Sequence, residues 1–293
     1  TFQACALNHS AISPWFYGCR LFNRTIYSRI LIIMITKIYK SIINTITFII
    51  VKFYSTIRQN FRRIRKVEFE NLADKYKFYN NKYYFILFGK DKYVSRNTFV
   101  NGPSDFQLIK KSKKILNKKF FFLIDVGANI GTFCIPAIKD GIIKKCIAIE
   151  PVEKIYNILN VNIELNDLTK KIDTYEYIIS DKKSQKLSLF RSKNNFGDNR
   201  FKISRYRNKS FKSIQLDHFI NQFNLKHLII KIDVQGFEDR VLMGAKSFIK
   251  AKVPLIIEFN CNFSKSKFYK KIVFLLKKNY KFICILDNQN LKK

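Results

Sequence analysis

A chain of 293 residues can bury one sizeable core with a smaller appendage and does not require two full domains. Its formal charge of +34 suggests an anionic partner, but the lysines are spread through most of the chain, which is typical of a biased composition rather than of one nucleic-acid-binding groove. Six cysteines without a Cys-x-x-Cys pair, and only three histidines, argue against a structural zinc site. Cys134, Cys146 and Cys284 lie in apolar runs, where a free thiol acts as a small core residue, which favours a reducing, cytoplasmic compartment.

The first 33 residues differ in composition from the rest of the chain. They contain no Lys, Asp or Glu, yet they hold the only Trp and two of the six Cys. We therefore expect residues 1–33 to be an extension that is non-native, such as read-through sequence, or unstructured, with Met34 as the natural start. The alternative is a targeting peptide, but Lys37 interrupts its apolar run and no small-residue cleavage site follows.

Residues 34–66 are predicted to form a basic amphipathic helix. Polar residues recur every three to four positions over 36–59, and the other face is mostly isoleucine. The uncharged run 41–51 is shorter than the roughly 20 residues needed to cross a bilayer. Lying in the interface of an anionic membrane and packing on protein are supported equally by this pattern.

Residues 67–118 are predicted to contain a small β-hairpin and a lead-in helix. The aromatic, alternating run 82–88 followed by Gly89 is typical of an antiparallel hairpin. After the break at 101–104, residues 105–116 have the period of a helix.

The apolar run 121–126, with Asp125 near its end, breaks into two glycines spaced four apart, Gly127 and Gly131. Glycine lets the chain turn sharply and lets a ligand approach backbone N–H groups, which the start of the following helix also presents. The pattern predicts a buried strand that leads into a loop binding a nucleoside cofactor.

Beyond Gly131 strand and helix patterns alternate, which predicts an α/β fold with a mostly parallel sheet covered by helices on both faces. The predicted strands are 146–150, 172–180, 227–233, 253–259 and 281–286, and the predicted helices lie near 130–139, 153–166, 238–250 and 265–278. Residues 181–213 interrupt the alternation and are predicted to form a hairpin and a loop over the active-site edge.

Ligands of open α/β sheets bind at the carboxyl ends of the strands. The polar residues at the predicted strand ends are Asp125, Glu150, Ser180, Asp233 and Glu258. Glu150 lies 19 residues after Gly131, where a carboxylate can accept hydrogen bonds from both hydroxyls of a ribose, although it can also be a surface acid. We expect the four carboxylates to gather on one rim.

The glycine pattern separates the two cofactors that carry such a ribose, NAD and S-adenosylmethionine. A dinucleotide loop usually has the pattern Gly-x-Gly-x-x-Gly. Here an acid precedes two glycines, and an acid repels a pyrophosphate but suits the ammonium and sulfonium of S-adenosylmethionine. The predicted cofactor is S-adenosylmethionine.

These motifs resemble the FkbM-type family, a branch of the class I S-adenosylmethionine-dependent methyltransferases with a Rossmann-like fold. The resemblance covers about residues 120–285, and we expect residues 119–293 to be the methyltransferase domain. It rests on residues 124–133, 149–151, Asn162, Asn166, 231–238, 244–245 and 254–258. One departure is Gln235, where the family commonly has Glu.

The resemblance implies O-methylation of a hydroxyl, often on a sugar, glycan, glycolipid or natural product. Asp125, Gly127, Asn129 and Gly131 would hold the amino-acid end of the cofactor, and Glu150 would hold its ribose. Ser180, at the next predicted strand end, is a further candidate for cofactor binding.

Three residues are candidates for catalysis. Asp233 is predicted to be the general base or an acceptor that orients the substrate, with a helix cap as the alternative. Glu238 is equally well explained as a catalytic acid or as a charge at a helix start. Lys231 either pairs with a carboxylate or extends to water from the sheet edge.

Three other residues are weaker candidates for the active site. Glu258 is a pocket candidate or an ordinary strand-terminal acid, and His218 and His227 are expected to be structural or solvated. No metal ligand is assigned, although clustered carboxylates are also what Mg²⁺ prefers.

The predicted function is methyl transfer to a sugar, glycan or glycolipid hydroxyl, in the cytoplasm or at the inner face of an anionic membrane. An RNA-binding protein or RNA methyltransferase is an alternative suggested by the charge, but an Asn/Asp-Pro-Pro-Tyr-like motif and a recognisable nucleic-acid module are absent from the sequence. A membrane-associated scaffold with an inactive cofactor fold is the other.

Overall fold

The structure is a computed structural model that describes residues 14–71, 76–183, 187–190, 200–203, 212–258, 267–281, 285–286 and 291–292. It divides into two compact units, Thr1–Arg63 and Ile64–Lys293. Within these described residues, no helix is both long enough and apolar enough to cross a membrane.

One helix, α1 (Pro14–Asn71), accounts for the described part of the first unit and continues into the second. It is longer at both ends than the predicted helix 34–66, and it includes residues 14–33, where an extension is predicted. Proline is well tolerated at a first helical position, and neither Gly nor Pro occurs from Cys19 to Asn71 to end the helix.

After the end of α1, the second unit continues with a hairpin and then with strands and helices. In chain order its elements are β1 (Tyr76–Asn80), β2 (Tyr84–Phe88), α2 (Val94–Asn101), α3 (Gln107–Leu116), β3 (Phe122–Val126), α4 (Cys134–Lys139), β4 (Lys145–Ile149), α5 (Glu153–Leu165), β5 (Ile172–Tyr175), β6 (Ile178–Ile179), β7 (Leu187–Phe190), β8 (Arg200–Ile203), β9 (Ser213–Ile214), β10 (Leu228–Ile232), α6 (Glu238–Met243), α7 (Lys246–Lys250), β11 (Leu255–Ile257), α8 (Lys267–Asn279), β12 (Ile285–Leu286) and β13 (Leu291–Lys292). Two short 3-10 helices, Leu216–Phe219 and Leu225–His227, precede β10.

A parallel five-stranded sheet forms the centre of the second unit, in the order β11-β10-β3-β4-β5. Successive side chains of a strand point to opposite faces, and accordingly Leu123 of β3 joins one buried cluster while Ile124 and Val126 join another. The first cluster includes residues of α4, α5 and the hairpin, and the second includes residues of α6, α7 and α8. The predicted Rossmann-like α/β fold, with helices on both faces of a mostly parallel sheet, is confirmed.

Two buried asparagines of α5 fasten the hairpin to the sheet domain. Asn162 accepts a hydrogen bond from Ile86 N at 2.6 Å and donates to Ile130 O at 2.9 Å. One helical turn later, Asn166 accepts from Tyr84 N at 3.1 Å and donates to Tyr84 O at 2.7 Å. An edge strand thus finds partners for its backbone in side chains of a helix, and Asn162 also reaches the loop after β3.

Several element boundaries differ from the prediction. The predicted strand 172–180 is two strands, because β5 belongs to the central sheet and β6 pairs with β9. The predicted strand 281–286 is described only as β12, which pairs with β13. The predicted helix 238–250 is divided into α6 and α7 at Gly244, where a Cβ atom would lie 2.1 Å from Ser180 O.

The remaining differences lie at the hairpins. The predicted hairpin of the 67–118 segment is present as β1 and β2, but α2 was not predicted. The interruption at 181–213 contains the antiparallel pair β7 and β8, which confirms a hairpin there. Its loops at 191–199 and 204–211 lie outside the described residues.

Candidate active site

The loop that follows β3 can be built only with glycine at two positions. Gly127 has a φ angle of +78°, and a Cβ atom there would lie 1.9 Å from Asp233 O. Gly131 has a φ angle of +91°, and its Cβ atom would lie 2.6 Å from Ile135 Cδ1. Other residues adopt this left-handed conformation at a cost, and the backbone of Asp233 leaves no room for a side chain at Gly127, whereas at Gly131 the ends of two side chains would have to move. The loop therefore packs closely against the end of β10.

Glu150, which follows β4, is joined to this loop through its carboxylate. Oε2 accepts a hydrogen bond from Asn129 N at 3.1 Å, and Oε1 accepts one from Val152 N at 2.9 Å. Asn129 itself has a left-handed φ angle of +51°. Burial outweighs these two bonds and raises the pKa of Glu150 to about 7. Since each carboxylate oxygen has two lone pairs, both keep capacity for a further donor such as a ribose hydroxyl.

Lys231 of β10 joins the loop to the acidic residues on either side of it. Its Nζ donates a hydrogen bond to Gly127 O at 2.8 Å. The same ammonium lies 3.2 Å from Asp125 Oδ1 and 3.5 Å from Asp233 Oδ2. Burial lowers the pKa of this lysine, but the two carboxylates outweigh burial and raise its pKa above the ordinary value. Lys231 thus pairs with both carboxylates and does not extend to water.

Asp125 is fully buried beneath the loop. It stands opposite Lys231 in the parallel register of β3 and β10. Among the described residues neither oxygen has a well-directed hydrogen bond, and the ammonium of Lys231 is its ionic partner. Burial raises the pKa of Asp125 despite that ammonium. The geometry lets Asp125 support the loop through Lys231, and direct contact with the cofactor stays a prediction.

Beyond Lys231, one amide joins two carboxylates at the edge of the site. Gln235 Nε2 donates to Asp233 Oδ1 and to Glu258 Oε2, both at 2.7 Å. Gln235 adopts a left-handed φ angle of +51°, which turns its side chain back toward the strand ends. The sequence pattern identified this residue only as a departure from the family and gave no signal for the bridge.

The two bridged carboxyl groups differ in acidity. Burial opposes ionisation of Asp233, but the charge of Lys231 holds its pKa below the usual range. The hydrogen bond with Asp233, together with burial, raises the pKa of Glu258 to about 8. Glu258 is exposed to solvent, so water weakens the contribution of burial. Asp233 is therefore the stable anion of the pair, and Glu258 is the group that exchanges a proton near neutral pH.

Glu238, the first residue of α6, organises the turn that carries Gln235. Its carboxylate accepts hydrogen bonds from Val234 N at 3.3 Å and from Gly236 N at 3.0 and 3.1 Å. The side chain is buried, and burial raises its pKa. This contact set matches the helix-start alternative, and a catalytic role for Glu238 stays a prediction.

Ser180 does not end a strand of the central sheet. It follows β6, and its hydroxyl donates to Asp181 Oδ1 at 3.1 Å, while Asp181 pairs with Arg240 at 2.9 Å. The strand-end reasoning that predicted a place on the rim therefore fails for Ser180. Its cofactor role stays a prediction.

The two candidate histidines lie away from the carboxyl ends of the central strands. His227 precedes β10, and its Nδ1 lies 3.0 Å from Lys119 O. His218 is exposed in a 3-10 helix and packs edge-on against Phe219. Among the described residues, no group of three or more His, Cys, Asp or Glu side chains is placed to hold a metal ion.

Comparison with known families decides the class of this protein. A family profile described as the methyltransferase FkbM domain matches residues 125–282, which is more than half of the chain. The chain belongs to the FkbM methyltransferase family. This confirms the predicted enzyme class, an S-adenosylmethionine-dependent methyltransferase.

Several solved structures are similar to this chain. Methyltransferase FkbM from Methylobacillus flagellatus KT is 19% identical, covers 55% of this chain and 38% of that chain, and has a TM-score of 0.37. TYW2 of M. jannaschii in complex with AdoMet is 15% identical over 73% of this chain and 77% of that chain, with a TM-score of 0.33. A tRNA methyltransferase of M. jannaschii is 20% identical over 36% and 30%, with a TM-score of 0.27. The chain thus spans well under two thirds of the Methylobacillus protein, and comparison with curated proteins finds no match.

The residues around the loop fit S-adenosylmethionine. The absence of a Cβ atom at Gly127 lets the loop lie directly against Asp233 O, which holds the loop beside the strand ends where ligands of such sheets bind. Glu150 is fixed by two backbone amides and retains acceptor capacity for a ribose. Two carboxyl groups, Asp125 and Asp233, share the single ammonium of Lys231, so with both ionised the region keeps a negative charge, opposite to that of an ammonium or a sulfonium.

Proposed function

We propose that this protein is an O-methyltransferase that transfers the methyl group of S-adenosylmethionine to a hydroxyl of a sugar, glycan or glycolipid. One observation carries the proposal: the exposed carboxyl of Glu258, with a pKa of about 8, is hydrogen-bonded through Gln235 to the anionic Asp233. A group that exchanges a proton near neutral pH suits an acceptor that must lose a proton as it is methylated.

The cofactor would be held by the loop after β3 and by Glu150. Gly127, Asn129 and Gly131 would shape the loop around its amino-acid end, and the free lone pairs of Glu150 would accept from its ribose hydroxyls. When bound, S-adenosylmethionine supplies an activated methyl group that a hydroxyl oxygen takes by direct displacement. Positioning of the two reactants can contribute roughly 7 to 11 kcal/mol to such a reaction.

Two carboxyl groups would have different roles toward the acceptor hydroxyl. Asp233 stays ionised because of Lys231, so it would accept a hydrogen bond from the acceptor hydroxyl and orient it. Glu258 would take up the proton that the hydroxyl loses, because its ionised form has the higher proton affinity of the two. Asp233, predicted from sequence as the first choice for the base, would thus be the orienting residue.

We also propose that the reaction takes place in the cytoplasm, with a sugar, glycan or glycolipid as partner. The cysteine pattern of the sequence favours a reducing compartment. The motifs of the sequence do not favour nucleic acid, although the net charge of +34 makes RNA the acceptor to test against.

The test is a transfer assay with methyl-labelled S-adenosylmethionine and the full chain. Free sugars, glycans, extracted glycolipids and total RNA are offered separately, and the chemical form of the label is determined by mass spectrometry. We expect a methyl ether on the sugar-bearing fractions. Label in RNA alone would contradict the proposal, and so would the absence of label together with the absence of cofactor binding by calorimetry.

A pair of variants tests the assigned base. Glu258→Gln is expected to lower kcat by about 10²- to 10⁴-fold and to leave the Kd of S-adenosylmethionine unchanged, because the residue lies on the acceptor side. It should also abolish the rise of activity as the pH passes about 8. Glu164→Gln, an equal change at an exposed position of α5, is the control and should leave kcat unchanged. A native kcat for Glu258→Gln would remove Glu258 from the mechanism.

A further inference from the structure

The part of α1 in the first unit carries an apolar stripe that is open to solvent. Its large side chains recur in steps of three or four residues, and all of them are 50 to 67% exposed. The stripe consists of Ile35, Ile38, Ile42, Ile46, Ile49, Phe53 and Ile57. Tyr39, Ile43, Ile50 and Tyr54 widen it on one side and are exposed as well. Soluble monomers rarely leave such a large contiguous apolar surface uncovered, so we expect another molecule to cover this face.

The charges of the helix are of one sign and lie off the stripe. Up to Val67 the sequence contains no Asp or Glu, whereas the segment 35–63 contains six basic residues. These are Lys37, Lys40, Lys52, Arg58, Arg62 and Arg63. At about 100° per residue, all six fall on the half of the helix opposite the stripe. Lys40 and Arg58 border the side of the stripe that Tyr39, Ile43, Ile50 and Tyr54 widen. Lys52 and Arg63 border the other side.

We propose that this face of α1 lies in the surface of an anionic lipid bilayer. The apolar stripe would enter the boundary between headgroups and acyl chains, and the bordering lysines and arginines would extend their stems to the lipid phosphates. Each basic side chain near such a surface contributes attraction, and no acidic side chain of the segment opposes it. The inference is independent of the acceptor proposed above.

A second copy of the chain is the other occupant to consider, and two observations disfavour it. The stripe advances in steps of three, four, four, three, four and four residues, an average of about 3.7, which does not fit the 3.5 of the common left-handed coiled coil and leaves only the right-handed kind. Two such helices side by side would also bring together basic residues with no acidic partner. The surface of an anionic bilayer offers acyl chains to the apolar stripe and phosphates to the basic residues beside it.

The test is flotation of the full chain with vesicles. We expect binding to vesicles of mixed phosphatidylcholine and phosphatidylserine, weak binding to pure phosphatidylcholine, and partial release by salt. Ile46→Glu is expected to lower the partition coefficient by about 10- to 100-fold, since a stripe side chain of this size contributes about 1.5 to 3 kcal/mol when buried. Asn44→Glu adds the same charge on the polar face and should lower it by only about fivefold.

Control measurements distinguish the bilayer from a second copy of the chain and from RNA. Both variants should retain cofactor binding and the thermal unfolding of the native protein, because both positions are exposed. Equal binding to neutral and anionic vesicles, or equal loss in the two variants, would overturn the proposal. So would a dimer in analytical ultracentrifugation that Ile46→Glu dissociates, or RNA binding that only this variant loses.

Discussion

The proposed cofactor side and the proposed acceptor side of the candidate site are built by different means. On the cofactor side, the backbone determines the shape: Gly127 packs against the end of β10, and Glu150 is held by backbone amides. On the acceptor side, side chains determine it, because Gln235 holds Asp233 and Glu258 together. The first arrangement is buried and fixed by chain geometry, whereas the second reaches solvent. A change of side chain at Gln235 or Glu258 can therefore alter the acceptor side without altering the loop that follows β3.

Replacement of Lys231, which joins the two sides, should have the largest effect on stability. Lys231→Met leaves the buried Asp125 without its counter-charge and frees the carbonyl of Gly127. We expect the free energy of unfolding to fall by about 3 to 5 kcal/mol, as measured by denaturant titration. Adding Asp125→Asn to this variant should restore part of the loss, because it removes the uncompensated buried carboxylate.

A matched control for this variant is Lys171→Met, which removes an exposed lysine of the same unit. It should change the free energy of unfolding by less than about 0.5 kcal/mol. If Lys231→Met were as stable as the native protein, or if Asp125→Asn brought no recovery, Lys231 would not be the element that joins the two sides.

The cofactor side could be predicted from sequence to a large extent. A buried apolar run that ends in an acid and two spaced glycines leaves few alternatives to a strand and a tight loop, and the next apolar run places Glu150 beside it. Local chain geometry decides these features, so local sequence reveals them. The structure adds that Asp125 lies beneath the loop and supports it through Lys231.

The acceptor side, and the tertiary contacts around the rest of the site, were less accessible to prediction. The bridge by Gln235 depends on a left-handed backbone at a residue other than glycine, which no pattern signals. The place of Ser180 depends on a pairing between β6 and β9 across more than 30 residues. The clamp formed by Asn162 and Asn166 also depends on tertiary contacts, although two asparagines one helical turn apart in a buried helix face are a recognisable signal.

A smaller effect should follow from adding one methyl group to the cofactor side. Gly127→Ala places a Cβ atom 1.9 Å from Asp233 O, so the loop must move away from β10. We expect the Kd of S-adenosylmethionine to rise by at least about 30-fold and the stability to fall by roughly 2 to 4 kcal/mol, from left-handed strain and overpacking. Calorimetry and thermal unfolding measure the two quantities.

Gly141→Ala separates strain from collision. Gly141 also has a left-handed φ angle, +67°, but a Cβ atom there would meet no atom within 4 Å. Its loss of stability should be about 1 kcal/mol, with unchanged cofactor affinity. Equal behaviour of the two variants would mean that the close approach of the loop to Asp233 has no consequence for cofactor binding.

The smallest effect concerns the ionisation of Glu150. As the pH rises, this ionisation should strengthen cofactor binding but lower the free energy of unfolding of the free protein. Its pKa in the fold, about 7, lies above the ordinary value of a glutamate. The ionised form accepts stronger hydrogen bonds, so the affinity for S-adenosylmethionine should rise up to about tenfold as the pH passes 7. The contribution of Glu150 to the stability of the free protein is present below the unfolded pKa of about 4.3 and is lost as the pH rises toward 7.

Glu150→Gln checks both signs in one variant. Its affinity should stay at the low-pH level of the native protein and lose its dependence on pH near 7, because the amide does not ionise. The difference in the free energy of unfolding between the variant and the native protein should shift in favour of the variant between pH 5 and 7, since only the native protein must ionise a buried carboxyl there. An affinity that still rose with pH in the variant would assign the titration to another group, and Glu258, with its pKa of about 8, would be the first to examine.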